Sequence, residues 1–359
     1  MMKAAIFVEP GRIVLDEKPV PDVGPLDALV RITTTTICGT DVHILKGEYP
    51  VEKGLTIGHE PVGIVEKLGS AVTGYHEGQR VIAGAITPSG YSNACQCGRC
   101  SQDGAGTRHG WKAMGGWKFG NTIDGCQAEF VLVPDAMANL APVPDGLTDE
   151  QVLMCPDIMS TGFGGAEKGA IKIGDMVAVF AQGPIGLCAT AGAKLCGAST
   201  IIAVDRLPER LEMARRLGAD HVVDFSKVNP VVEIMRLTEG RGVDVAIEAV
   251  GRGSSLAGAI EFTRIGGRLT LFGTVTEQAP ALPYYQLYYK ELMISNPRAA
   301  KPEDFPAATD IVSSGTVKLE PLVTDVFPLS RAGEAIAAIS SGGSLKVILD
   351  HQEDPATTA

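Results

Sequence analysis

The segment TTTTICGTDVHILKG gathers a thiol (Cys38), a hydroxyl (Thr40), a carboxylate (Asp41) and an imidazole (His43) into six residues behind a β-branched run. A single cysteine is by default a core residue, because the unoxidised thiol is among the most buried side chains. What the rest of the chain offers these groups decides their role. GHEPVG supplies His59 and Glu60, beginning 21 residues after Cys38, and CPDIMSTGFGGAE supplies Cys155 and Asp157. Thiolate, imidazole and carboxylate are all zinc ligands, and three of them with an open fourth position make a catalytic rather than a structural site. Spacings this long leave the choice among the candidate ligands open.

A second kind of chemistry is written in VAVFAQGPIG. An apolar strand runs into Ala181-x-Gly183-x-x-Gly186, with Pro184 and Ile185 opening a helical pattern. This is a dinucleotide fingerprint with alanine at its first glycine. Gly183 would let the backbone approach a pyrophosphate, Gly186 would allow close helix–strand packing, and the helix N-terminus would offer N–H groups to the phosphates. The next strand ends in Asp205, 22 residues after Gly183. A carboxylate there accepts from both ribose hydroxyls and repels a 2′-phosphate, which favours NAD; Arg206 beside it is the competing feature.

Two kinds of element must carry these groups. Up to about residue 155, short strands such as KAAIFV, RIVLDE, ALVRITTTTI, EPVGIVEKLG, QRVIAGA and AEFVLVP are cut by Gly and Pro, the pattern of a barrel-like β unit. From about Gly174 strands and helices alternate with short connections (DMVAVFA, PIGLCATAGAKLCG, TIIAVD, PERLEMARRLGA, HVVDF, NPVVEIMRLTEG, VDVAIEAV, SSLAGAIEFTRI, GRLTLFG). That alternation predicts an α/β doubly wound parallel sheet. After about residue 300 the order is mixed again. The expected division is a β-rich unit of residues 1–157 and 300–359 with a nucleotide-binding unit of residues 158–299 between them.

With 359 residues, 45% hydrophobic and 20% charged, the chain can bury a large core. A net charge of −11 without a basic block argues against a nucleic-acid surface. No apolar run reaches the roughly 18 residues that a membrane span needs, and no export signal is visible. A reducing, cytoplasmic setting is therefore expected, with the eight cysteines as core, metal or catalytic residues rather than disulfides.

CGTDVHILKG, GHEPVGIVEKLGSAVTGYHEGQRV, IMSTGFGGAE and VAVFAQGPIGL together resemble the zinc-dependent medium-chain alcohol dehydrogenases over essentially the whole chain, with the closest likeness to bacterial secondary-alcohol dehydrogenases. The resemblance implies a GroES-like catalytic domain beside a Rossmann domain, and a homotetramer. It implies Cys38, His59 and Asp157 as catalytic zinc ligands, and Glu60 as an acid that approaches the metal transiently. Asp41 becomes the carboxylate behind the liganding histidine. It further implies that Thr40 takes a proton from the alcohol and His43 passes it on, that Thr161 packs on the nicotinamide, and that Lys346 reaches the pyrophosphate. Trp117 and Ala85 are expected to line the substrate pocket. The implied reaction is hydride transfer between a secondary alcohol or its ketone and NAD.

Two rivals follow from the same motifs: a zinc-free quinone or enoyl reductase of the same fold, which would lack the ligands, and a nucleotide-binding structural protein without turnover. One lobe stands apart. ACQCGRCSQDGAGTRHG, residues 94–110, holds Cys95, Cys97 and Cys100 with His109 nearby. Many relatives carry a structural zinc bound by four cysteines in this lobe. A second zinc is expected here, held by the three thiols and His109, or by Cys97, Cys100, Asp103 and His109.

Overall fold

The computed structural model describes residues 1–49, 51–273, 280–297 and 302–351, and the chain forms two compact units, residues 1–157 with 300–359 and residues 158–299. In the first unit β1 (Met2–Glu9) and β2 (Arg12–Lys18) form an antiparallel pair. β3 (Ala28–Ile37), β4 (Pro61–Leu68), β5 (Arg80–Ile82), β6 (Phe130–Val133) and β7 (Ala141–Pro142) follow.

The second unit holds β8 (Met176–Phe180), β9 (Thr200–Asp205), β10 (His221–Asp224), β11 (Val243–Glu248), β12 (Thr263–Leu271) and β13 (Met293–Ser295). The chain then returns to the first unit with β14 (Val323–Pro328) and β15 (Lys346–Asp350).

The first unit's main sheet runs β14-β15-β3-β4-β5-β7, with β6 also on β3. β3 is its hub, because the β-branched run Ile32–Ile37 is buried throughout and pairs on both sides. The second unit's sheet is wholly parallel, ordered β10-β9-β8-β11-β12-β13. MVAVF, TIIAVD and VDVAIE are almost continuously buried, as strands covered by helices on both faces must be. β8 lies between β9 and β11, so the order reverses at its C-terminal end, where open α/β sheets bind ligands. This is the α/β doubly wound sheet expected from the alternating pattern.

One local expectation is corrected. SSLAGAIEFTRI does not stay helical: the helix stops at Phe262 and Thr263 opens β12, its hydroxyl donating to Ala259 O in the last turn. CPDIMSTGFGGAE, which carries no strong periodic signal, is one π-helical turn, Cys155–Met159, followed by an α-helix, Ser160–Lys168. No helix among the described residues is long and apolar enough to cross a membrane.

A buried ion pair pins the start of β8 to β12. Arg268 donates to Asp175 Oδ2 at 2.6 Å and also to Ala170 O. Replacing Arg268 by Met leaves a buried carboxylate with one backbone donor, Lys172 N at 2.8 Å. Stability is expected to fall by about 3 kcal/mol, read as a lower urea midpoint.

Candidate functional site

Three neighbouring strands bring the ligand candidates to one end of a sheet. β3 ends at Ile37 and hands the chain to Cys38, β4 begins directly after His59 and Glu60, and β15 begins at Lys346. β3 is antiparallel to both neighbours, with Thr35 opposite Pro61 and Ile37 opposite Val347, so these three points lie together. Gly58 sits at φ 93°, and a Cβ there would lie 2.8 Å from Gln127 N; glycine lets this loop close onto that backbone just before His59. The π-helical turn supplies Asp157; such turns recur at functional sites.

Donor atoms of Cys38, His59, Glu60 and Asp157 all lie within 4.8 Å of one another, and all four residues are buried. His59 Nε2 is 3.5 Å from Asp157 Oδ2 and its Nδ1 is 3.7 Å from Asp41 Oδ1. One ring nitrogen thus faces the cluster and the other faces a carboxylate, the arrangement that fixes the tautomer of a liganding histidine. Asp41 is itself held: its Oδ2 accepts from Cys38 N at 2.9 Å and from the Gln127 side-chain amide at 3.2 Å. Cys155, an open alternative in the sequence, is not in the cluster, and burial pushes its thiol up to about 12, which makes it an inert core residue.

The electrostatics of the cluster call for a cation. Burial would lower the pKa of His59, but Asp41, Asp157 and Cys38 outweigh it and hold the imidazole well above its ordinary value. Burial would raise Asp157, yet hydrogen bonding and charge from His59 hold it below the usual carboxylate range. Glu60 is pushed up to about 7 by burial, against the opposing charge of Lys346. Asp41 Oδ1, His59 Nδ1 and Glu60 Oε1 have no hydrogen-bond partner although buried. One thiol, one imidazole and two carboxylates converging, with these buried atoms left unpartnered among the described residues, fit zinc.

Around the cluster, helix α1 (Gly39–Leu45) places Thr40 with its Oγ1 3.7 Å from Cys38 Sγ, and His43 one turn further on. His43 Nδ1 pairs with Glu48, and its ring meets Tyr49 edge-on at 5.9 Å. Tyr49 in turn meets Trp117 at 5.2 Å, and Ile86, the neighbour of buried Ala85, bridges to Trp117.

In the second unit, Ala181 takes the left-handed φ of 74° where the fingerprint has its first glycine. Gly183 caps the helix Pro184–Leu195, and a Cβ on it would meet nothing nearer than Arg210 at 3.9 Å. A Cβ on Gly186 would lie 1.9 Å from Ala181 O. Ile185 follows Pro184 in the first turn of that helix, and Thr161 is buried in the helix Ser160–Lys168. Asp205, also buried, accepts from Gln182 N at 2.7 Å, Arg206 N at 2.7 Å and Leu207 N at 3.1 Å. The open N-terminal turn at the switch point fits a dinucleotide pyrophosphate.

Residues 24–145 match the model of the alcohol dehydrogenase GroES-like domain and residues 184–314 that of the zinc-binding dehydrogenases. An alcohol dehydrogenase of Cupriavidus necator is 68% identical over 280 residues, 76% of each chain. The chain belongs to the zinc-dependent medium-chain alcohol dehydrogenase family. An NADP-dependent isopropanol dehydrogenase of Thermoanaerobacter brockii is 39% identical over 75% of this chain and 74% of its own. The solved alcohol dehydrogenase from Thermus sp. ATN1 superposes with a TM-score of 0.88 at 34% identity, over 97% of this chain and 99% of its own. Family membership makes this protein a zinc-dependent oxidoreductase acting on alcohols. The zinc-free rival requires a missing ligand set, whereas all four donors are present and gathered.

Two expectations for this dehydrogenase are corrected. Lys346 was expected on the cofactor pyrophosphate. Its Nζ instead donates to Glu60 Oε2 at 2.5 Å, and the residue is 1% exposed, so the ammonium is committed to the metal cluster. Among the described residues, no second group with metal-ligand geometry forms from Cys95, Cys97, Cys100 and His109. Cys95 lies in a short helix, α2 (Asn93–Gln96), with its Sγ accepting from Ser92 at 3.2 Å, while Cys97 is exposed after that helix. Asp103 organises the lobe by itself, accepting from Ser89 N, Ser89 Oγ and Ala105 N at 2.8, 3.1 and 3.1 Å. Glu48, Tyr49, Gln127 and Thr36 were not singled out from the sequence. The only signals for them were their closeness to His43 or to the strands that carry ligands.

Metal analysis of the reduced protein is expected to give one zinc per chain. Cys97→Ser/Cys100→Ser should leave that ratio unchanged, and Cys38→Ser should lower it well below one. A ratio near two would restore the second site.

Proposed function

We propose that this chain transfers a hydride between a secondary alcohol, or the corresponding ketone, and NAD, with Cys38, His59 and Asp157 as the permanent zinc ligands. The observation that carries this reading is the buried thiol–imidazole–carboxylate cluster with Asp41 behind His59. Zinc, when bound, supplies a Lewis acid that makes an alcohol hydroxyl acidic near neutral pH. The chain's own groups do the rest. Thr40 is placed to take the hydroxyl proton beside Cys38. His43, one helical turn on and half-buried, hands that proton toward solvent, and its Nδ1 is oriented by Glu48. Trp117 and Ala85 bound the apolar side of the substrate space, and Thr161 packs on the nicotinamide. The ligand thiol of Cys38 stays reduced in a cytoplasmic setting, which this reading adopts.

Asp205 supports NAD. Three backbone donors fix it at the end of β9, where a 2′-phosphate would meet a carboxylate. The name of the Thermoanaerobacter brockii relative points the other way, so cofactor choice is the sharpest test. With 2-propanol as substrate, kcat/KM is expected to favour NAD over NADP by at least about tenfold, or ~1.4 kcal/mol. Asp205→Gly should narrow that ratio. A wild-type preference for NADP would refute the assignment and point to Arg206.

The same reading includes a homotetramer. Among the described residues β13 is the edge of the parallel sheet, with Met293 61% and Ile294 41% exposed. The helix Tyr284–Tyr289 adds four exposed tyrosines, Tyr284, Tyr285, Tyr288 and Tyr289. An open strand edge beside so much aromatic surface is suited to a two-fold partner of the same kind. Tyr285→Asp/Tyr289→Asp is expected to lower the mass seen by light scattering; an unchanged mass would remove this face from the assembly.

A further inference from the structure

Glu60 and Lys346 form a fully buried ion pair 286 residues apart in the chain, at 2.5 Å. A buried ion pair is weak evidence for stability, since well-packed apolar residues of similar volume often do as well. Its geometry is more informative. Both the Lys346 ammonium and the Thr36 hydroxyl donate to the same oxygen, Glu60 Oε2. The other oxygen, Oε1, is buried and accepts no hydrogen bond. Glu60 nevertheless offers a carboxylate oxygen within 4.8 Å of the donors of Cys38, His59 and Asp157.

Four N, S and O donors make a closed tetrahedral zinc site, while three with an open position make a catalytic one. Nothing in the ligand types separates Glu60 from Asp157. Glu60 is held by a cation on β15 and a hydroxyl on β3, both on one of its two oxygens. We propose that Lys346 is a positioning residue that, with Thr36, latches Glu60, the acid that the family resemblance implies approaches the metal transiently, so that the position it would fill stays available to substrate. This rests on the metal reading of the cluster.

The test uses the full chain loaded with Co(II), whose visible bands report coordination, titrated with imidazole as a small competing ligand. In the wild type the bands are expected to shift on titration. In Lys346→Met the released carboxylate should close the site. The starting bands should already differ, imidazole should produce little shift, and loss of metal to a chelator should slow on the order of tenfold, the scale on which groups behind the ligands act. Lys346→Arg, which keeps the cation, should behave as wild type. Thr36→Val, nearly isosteric and uncharged, loosens the same oxygen and should weaken imidazole binding several-fold, which keeps the latch testable should Lys346→Met not fold. A Lys346→Met protein that binds Co(II) and answers imidazole as wild type does would overturn the latch alone, as would an unchanged Thr36→Val where only that variant folds. A wild type that takes up no Co(II) would overturn the metal reading and the latch with it.

Discussion

Burying a thiol, an imidazole and two carboxylates within 4.8 Å of one another is the constraint on which the first unit is organised. Taking charge out of water is costly unless it is paired and hydrogen-bonded. The chain answers with an ammonium from β15, a backbone N–H and an amide on Asp41, and a hydroxyl from β3. The candidate ligands are only four side chains, and His59 and Glu60 are backed by further buried polar groups, Asp41 and Lys346. Removing any of these supports leaves an acceptor stranded in a dry site, which makes the arrangement collective rather than pairwise.

Such a cluster needs a rigid frame, and β3 provides it. The run Ile32–Ile37 is buried throughout, so its register is set by pairing on both sides and a one-residue slip would turn every side chain over. Thr36 and Cys38 lie two residues apart and share a face, which puts the hydroxyl that holds Glu60 next to the thiol that it faces. Thr40 and His43, the groups proposed to handle the proton, sit instead on α1, whose first turn is fixed by Asp41 accepting from Cys38 N. Ligand geometry and relay geometry are therefore joined through one carboxylate.

The strands of the first unit and the alternation of the second were legible because their signals are local: β-branched runs, apolar runs of strand length, and turn residues between them. The fingerprint around Gly183 was legible for the same reason. The convergence of Cys38, His59 and Asp157 was suggested only by resemblance, since they are far apart in sequence and Cys155 competes with Asp157 on residue type alone. Lys346 was misplaced because a lysine in SLKVILD reads as a surface or phosphate-binding group, and its partner lies 286 residues away. The Cys95–Cys100 lobe misled in the opposite sense. Density of thiols along the chain was taken for convergence in space, whereas α2 and the turn after it leave Cys97 at the surface, and Asp103 spends its oxygens on Ser89 and Ala105. The π-helical turn that presents Asp157 has no periodic signature that a sequence could show.

The two fingerprint glycines look alike in sequence and differ in kind. Gly186 is demanded by the fold, because a Cβ would lie 1.9 Å from Ala181 O. That carbonyl is turned inward by a residue at φ 74°, a conformation that costs a non-glycine residue about 1–2 kcal/mol. The strain at Ala181 and the missing side chain at Gly186 are thus two halves of one close contact between strand and helix. Gly183 answers to no such contact: the nearest protein atom to its Cβ would be Arg210 Nη1, at 3.9 Å. Packing among the described residues gives no reason for glycine there. The reason lies in what approaches the first turn of the helix Pro184–Leu195 from outside, at the C-terminal end of β8 where the strand order reverses.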